Sequence, residues 1–161
     1  MRIRTAAAED LSALAEMESI CFPPEEAASH QSLARRLAVY PNHFWLMEDE
    51  SGTLISFIDG PVTTAPKLSD EMFGHPELHD ETGGWQMILG VNTAPEHRRR
   101  GYAAAVMERV IADAKCQGRK GCVLTCKTEL VHYYEKFGYC NEGISASVHG
   151  GAVWYDMRLT F

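Results

Sequence analysis

Arg98, Arg99 and Arg100 stand directly before Gly101-Tyr102-Ala103-Ala104 in a chain of 161 residues. Three adjacent guanidiniums concentrate positive charge, and a glycine lets backbone approach an anion with no Cβ in the way. Ala103 is small enough to serve the same approach. An apolar run, Met87 to Val91, precedes this stretch and an amphipathic one follows it. Strand, turn and helix in that order present free backbone N–H groups at a helix N-terminus, which carries partial positive charge and binds phosphate. Cations are disfavoured at such an end, so the arginines point to a bound polyanion rather than to a solvated helix start.

A second group capable of chemistry lies in Val131-His132-Tyr133-Tyr134-Glu135-Lys136-Phe137-Gly138-Tyr139. A phenol of pKa about 10 stays protonated at neutral pH and can give its proton to a departing thiolate. On periodicity alone, core packing on a short helix is the plainer account of Tyr134.

The elements that must position these groups follow from spacing. Met1 to Thr5 reads as a strand. Leu11, Leu14, Met17 and Cys21 recur at helical intervals within Glu9 to Phe22, and Pro23-Pro24 ends that helix. A second helix is expected over Ala27 to Val39. Phe44 to Met47 and Leu54 to Ile58 read as a hairpin turning at Glu50-Ser51-Gly52. Pro61 to Gly84 reads as an irregular insertion; its Asp70, Glu71, Glu77, Asp80 and Glu81 could attract a cation, although a solvated loop is the plainer account. Trp85 to Thr93 is expected to be one strand. The helix after it, with Ala103, Val106, Val110 and Ala114 on one face, runs to about Gln117 and stops at Gly118. Cys122 to Cys126 reads as a buried strand and Leu130 to Phe137 as a short helix. Tyr139 to Val148 and Ala152 to Leu159 form a last hairpin around His149-Gly150-Gly151. The order is mixed α/β, with one central sheet and helices on both faces.

Length and a 45% hydrophobic content suit one domain, residues 1–161, with a real core. No apolar run approaches the roughly 20 residues that cross a bilayer, and MRIRTAAAEDL lacks the apolar segment of a signal peptide. A cytoplasmic protein without a membrane partner is the expectation. The net charge of −7 disfavours nucleic acid as a partner. Cys21, Cys116, Cys122, Cys126 and Cys140 contain no Cys-x-x-Cys, and Pro76 separates His75 from His79, so neither a disulfide framework nor a metal is expected.

The pattern Arg-x-x-Gly-x-Ala at 98–103 resembles the acyl-CoA pyrophosphate loop of the GNAT N-acetyltransferases. Tyr134-Glu135-Lys136-Phe137-Gly138-Tyr139 is similar to the signature in which that superfamily carries its usual general acid. Within it the chain most resembles the arylalkylamine N-acetyltransferases, through Cys21-Phe22-Pro23-Pro24-Glu25-Glu26-Ala27-Ala28-Ser29, through Cys126 to Val131, and through Gly143 to Met157. The resemblance implies a mixed, mostly antiparallel twisted sheet of about seven strands with about four helices. It implies an acetyl-CoA-dependent N-acetyltransferase acting on a small primary amine, arylalkylamine or polyamine, in a ternary complex. Val91, Asn92 and Thr93 would pair with the pantetheine arm. Arg98, Arg99, Arg100, Gly101, Tyr102, Ala103 and Ala104 would hold the pyrophosphate. Phe22, Pro23 and Pro24 would close over the acceptor, Trp154 would line its pocket, and His149 would fall beside it. The plainer accounts are sheet packing for Trp154 and an exposed hairpin tip for His149. Tyr134 would be the general acid. Many relatives dimerise, so a homodimer is expected by analogy.

One departure concerns the base. An alkylamine of pKa about 10.4 lies about 3.4 units from its neutral form at pH 7, roughly 4.6 kcal/mol. The arylalkylamine enzymes carry two histidines on the strand before the phosphate loop, and the histone-acetylating branch a glutamate. The corresponding positions here are Met87 and Leu89. His149, His132 and Glu18 remain as candidate bases, and a water chain or an acceptor that enters neutral are the other routes. Two other functions stay open: acetylation of a peptide or protein amine, and binding of acetyl-CoA by a non-catalytic regulator.

Overall fold

In chain order the elements are β1 (Arg2–Thr5), α1 (Leu11–Cys21), α2 (His30–Val39), β2 (Phe44–Glu48), β3 (Leu54–Asp59), β4 (Val62–Thr63), α3 (Glu71–Gly74), β5 (Trp85–Met87), β6 (Gly90–Thr93), α4 (Tyr102–Cys116), β7 (Gly121–Cys126), α5 (Val131–Glu135), β8 (Cys140–Ile144) and β9 (Tyr155–Thr160). They come from a computed structural model that describes residues 1–161. The mixed α/β class is as expected, and the strands form two sheets, of four and of five. The chain divides into two compact units, Met1–Gly60 with Gly90–Val110, and Pro61–Leu89 with Ile111–Phe161.

In the first unit the strand order is β1-β2-β3-β6, and every pairing is antiparallel. Leu14 and Met17 of α1 and Leu33 and Leu37 of α2 pack with Tyr40, Phe44, Leu46 and Phe57. Alternation carries Trp45 and Met47 to the other face of β2, and they too are buried. The start of α1 is fixed by Asp10, which pairs with Arg4 at 2.8 Å and accepts from the Ala7 amide at 2.7 Å. The second helix begins at His30 rather than Ala27, because the Ser29 hydroxyl accepts from the Ser32 amide at 3.0 Å and caps it there.

The second unit orders its strands β4-β5-β7-β9-β8, with β5 and β7 parallel and the rest antiparallel. Leu68, Met72, Met87 and Val123 form one apolar cluster, joined by Phe73, Trp85 and Leu89. The insertion is more ordered than its composition suggests. It contributes β4 and α3, and four of its five acids, Asp70, Glu77, Asp80 and Glu81, have partners within the protein. Asp70 accepts from the Val148 amide and the Ser147 hydroxyl, Asp80 from Thr82, and Glu81 pairs with Arg119.

The run Trp85 to Thr93 is two strands, not one. Met87 pairs with Val123, and the Ile88 amide donates to the Val123 carbonyl at 2.9 Å. From Gly90 onward the chain pairs instead with β3, Gly90 opposite Asp59. The last hairpin is likewise shorter than expected, because 145–154 forms a structured loop between β8 and β9.

Candidate functional site

The loop before α4 lies in the first unit. A single 3-10 turn over Pro95–His97 leads into it. Arg99 (φ 62°) and Gly101 (φ 81°) both take left-handed backbone. Gly101 adopts this at no steric cost, whereas Arg99 is a strained non-glycine of the kind found where backbone geometry serves binding. The first backbone bond of α4 runs from the Ala105 amide to the Gly101 carbonyl at 3.0 Å. Tyr102, Ala103 and Ala104 therefore have no carbonyl one turn back for their N–H groups. Arg98, Arg99 and Arg100 are exposed around this end, and the Arg98 Nε also donates to the Thr93 carbonyl at 3.1 Å.

Strand β6 is the last strand of its sheet. The Ala94 amide donates to the Ile55 carbonyl at 2.9 Å. By the alternation of an antiparallel pair, Asn92 turns its backbone groups toward β3, while Val91 and Thr93 turn theirs to the open edge. The Thr93 carbonyl accepts from Cys21 Sγ at 3.3 Å as well as from Arg98. Cys21 thus ties the end of α1 to this edge, directly before Phe22-Pro23-Pro24. Phe22 is half-buried, and Pro23 and Pro24 are exposed. The amides of Glu26 and Ala27 both return to the Pro23 carbonyl at 2.9 Å, which shapes the loop as a tight turn.

Below this loop lies a buried polar cluster. Glu18 of α1 is 4% exposed, Arg36 of α2 3%, and Asp59 of β3 and Asn92 of β6 are fully buried. Arg36 Nη1 donates to Asp59 Oδ2 at 3.1 Å, and Glu18 Oε2 accepts from the Ala28 amide at 3.0 Å. Glu18 Oε1, Asp59 Oδ1 and both atoms of the Asn92 amide have no partner at hydrogen-bond geometry in the protein. Burial pushes the Glu18 carboxyl up to about 7, and the negative Asp59 adds to this; the Ala28 amide, Arg36 and the nearby Asn92 amide oppose it. Burial also raises Asp59, against the pull of Arg36. From sequence, Glu18 is one of several candidate bases, and Arg36 and Asp59 do not stand out as site residues. A signal was present: Glu18 and Arg36 sit on the apolar faces of their helices, beside Leu14 and Met17 and beside Leu33 and Leu37. A charge at such a position is expensive unless it has a use.

In the second unit Tyr134 is 6% exposed on α5, edge-on to Tyr133 at 5.1 Å and to Tyr139 at 6.0 Å. Burial first, then Tyr133 and Cys126, push its phenol well above its ordinary range. It is therefore a proton donor, never an anion, at neutral pH. Burial similarly raises Cys126 to about 11. Met87 is fully buried among apolar side chains, so no ionisable group stands at that position. His132 is exposed and faces Glu135. His149 is not an exposed tip: its ring stacks on Phe73 at 4.4 Å, and its carbonyl accepts from Trp154 Nε1 at 2.8 Å. Trp154 in turn carries the Lys127 ammonium over its ring at 5.6 Å.

No helix is long and apolar enough to cross a membrane. Comparison with curated protein sequences gives no match. Many solved structures share the fold, and three of them illustrate it. The GNAT-like decarboxylase GphF, in complex with isobutyryl-CoA, aligns over 99% of both chains at 22% identity and a TM-score of 0.85. The loading GNATL domain of CurA from Lyngbya majuscula aligns over 99% of this chain and 96% of its own at 18% identity and a TM-score of 0.84. Naa20 from Chaetomium thermophilum, in complex with a bisubstrate analogue, aligns over 100% of this chain and 87% of its own at 24% identity and a TM-score of 0.75. The sequence profile of the Acetyltransferase (GNAT) family matches residues 11–139, from α1 through the loop before α4 to the Tyr134 helix. The chain belongs to that family.

Proposed function

We propose that residues 1–161 act as one catalytic domain that transfers the acetyl group of acetyl-CoA to a primary amine of a small molecule, an arylalkylamine or a polyamine, by direct attack in a ternary complex. The observation that carries this is the start of α4, where left-handed Arg99 and Gly101 lead three exposed arginines into the first turn of a 15-residue helix. A pyrophosphate is one anion that such an end accepts. On this account Arg98, Arg99 and Arg100 and the amides of Gly101, Tyr102, Ala103 and Ala104 hold the pyrophosphate. Val91 and Thr93 use their edge-facing backbone for the pantetheine arm. The developing oxyanion takes a backbone N–H of the same edge. Tyr134 gives its proton to the departing thiolate. Phe22, Pro23 and Pro24 contact the acceptor, and Trp154 offers it an aromatic face.

Thiol release from acetyl-CoA in the presence of tryptamine, phenethylamine, spermidine and a short peptide, each beside a control without amine, tests this. Turnover with a small amine above the control supports the proposal. Release with the peptide alone moves the acceptor to protein termini. No release alongside calorimetric binding of acetyl-CoA overturns it in favour of a binding regulator.

A second reading has one observation in its favour. Loss of carbon dioxide from a carboxylated acyl-CoA needs a proton donor for the resulting carbanion and no base for an amine. The buried Met87 and the raised Tyr134 phenol suit that requirement, and GphF is described as a GNAT-like decarboxylase. The two reactions separate cleanly, since decarboxylation shortens the acyl group without freeing thiol.

A further inference from the structure

The chemistry proposed above leaves one proton without a destination, and the polar cluster of the first unit offers one. Glu18 Oε1, Asp59 Oδ1 and the Asn92 amide converge on the bare α-carbon of Gly90. A Cβ built on Gly90 would stand 3.2 Å from Asp59 Oδ1, 3.3 Å from Asn92 Nδ2 and 3.7 Å from Glu18 Oε1. All of these atoms are buried, and none has a partner at hydrogen-bond geometry within the protein. Buried polar atoms left in that state cost stability, so their retention calls for a use. Gly90 opens β6 and is followed at once by Val91, whose backbone faces the open edge. The cradle therefore lies one residue from the strand edge assigned to the pantetheine arm.

We propose that Glu18 accepts the proton that the acceptor ammonium must lose, through one water held in the cradle with Asp59 and Asn92. This rests on the acetyl-transfer reading. A water with three polar partners is an ordinary buried water, and a base acting through one water is an ordinary catalytic arrangement. The ammonium gives one proton to the Glu18 carboxylate and becomes a neutral amine. Its nitrogen attacks the thioester carbon; the C–N bond forms and the C–S bond breaks. The second nitrogen proton, lost as the amide forms, replaces the one that Tyr134 gives to the thiolate, and Glu18 returns its proton to solvent. The groups facing Glu18 are Asp59 from β3, Arg36 from α2 and Asn92 from β6, with Tyr40 beyond Arg36 and Asp59. Burial and Asp59 place the carboxyl near 7, where it can both take and release a proton at neutral pH. Ala28, whose amide Glu18 holds, lies in the loop that begins at Phe22, so the same side chain also anchors the loop assigned to the acceptor.

The test compares the wild type with Glu18→Gln and Gly90→Ala. Glutamine keeps an acceptor for the Ala28 amide and cannot titrate. Alanine at Gly90 fills the cradle and leaves Glu18 in place. For the wild type the expected result is a kcat that rises with pH through about 7, matched by a Glu18 carboxyl titration followed by carbon NMR. Glu18→Gln should lose kcat by about 100-fold and lose that limb, with acetyl-CoA affinity held within a factor of about 2. Gly90→Ala should lower kcat by about tenfold or more with KM nearly unchanged. An active wild type beside a Glu18→Gln that keeps kcat within a factor of about 3 would overturn this proposal alone. So would a Glu18 carboxyl titrating near 4.5 in the folded wild type, a measurement that needs no variant to fold. A wild type that acetylates no amine sinks the acetyl-transfer reading, and this one with it.

Discussion

Tyr134 is committed by its surroundings to a single protonation state. Burial among Tyr133, Tyr139 and Phe137 holds the phenol neutral far above physiological pH, which suits a donor and excludes a base. Tyr134→Phe keeps the ring and its packing and removes only the proton. Its kcat should fall by about 100-fold while acetyl-CoA affinity stays within a factor of about 2; unchanged turnover would take Tyr134 out of the mechanism. Glu18 carries the opposite commitment, and it has a stability signature. Its folded value of about 7 lies above the ordinary 4.5, so folding favours the protonated form. That contribution is complete below about 4.5 and is lost as pH rises through about 7. Between about pH 5 and about pH 8, the wild-type melting temperature should therefore fall relative to that of Glu18→Gln, whose side chain stays neutral. A wild type that gains on the variant over that range would contradict the assignment.

At the scale of elements, the turn at Gly101 and helix α4 were legible because Gly101 and the periodicity of Val106, Val110 and Ala114 are local signals. Gly101→Glu should abolish acetyl-CoA binding in calorimetry, since it adds a strained left-handed side chain and a negative charge where a polyanion is expected. Retained binding would undercut the loop assignment. The run from Trp85 to Thr93 misled, because continuous apolar character says nothing of partners: Met87 finds Val123 while Gly90 finds Asp59. Helix α2 starts three residues later than the spacing predicts, because Ser29 caps it. The pairing of Arg36 with Asp59 was illegible for a different reason. Each charge could be seen as misplaced on an apolar stretch, yet only the packing of α2 on β3 brings them to 3.1 Å. Removing one member leaves the other buried without its counterion. Arg36→Met should cost about 3–5 kcal/mol in urea unfolding, and a loss below about 1 kcal/mol would show that the pair is not stabilising.

For the whole molecule, a net charge of −7 surrounds one local group of three exposed arginines. Long-range repulsion of a polyanionic donor is screened by salt, and so is the short-range attraction of the arginines. If the arginines dominate, the apparent affinity for acetyl-CoA should weaken as salt rises from about 0.05 M to about 0.5 M. An affinity that strengthens would mean that the overall negative field governs approach. The central claim is that an acetyl group moves from acetyl-CoA to the nitrogen of an amine. Incubation with acetyl-CoA deuterated in the methyl group, followed by mass spectrometry of the recovered amines, tests it most directly. The expected product is a small amine carrying the labelled acetyl group, formed only with enzyme present and in step with released thiol. Recovery of every amine unlabelled while the enzyme binds acetyl-CoA would contradict it.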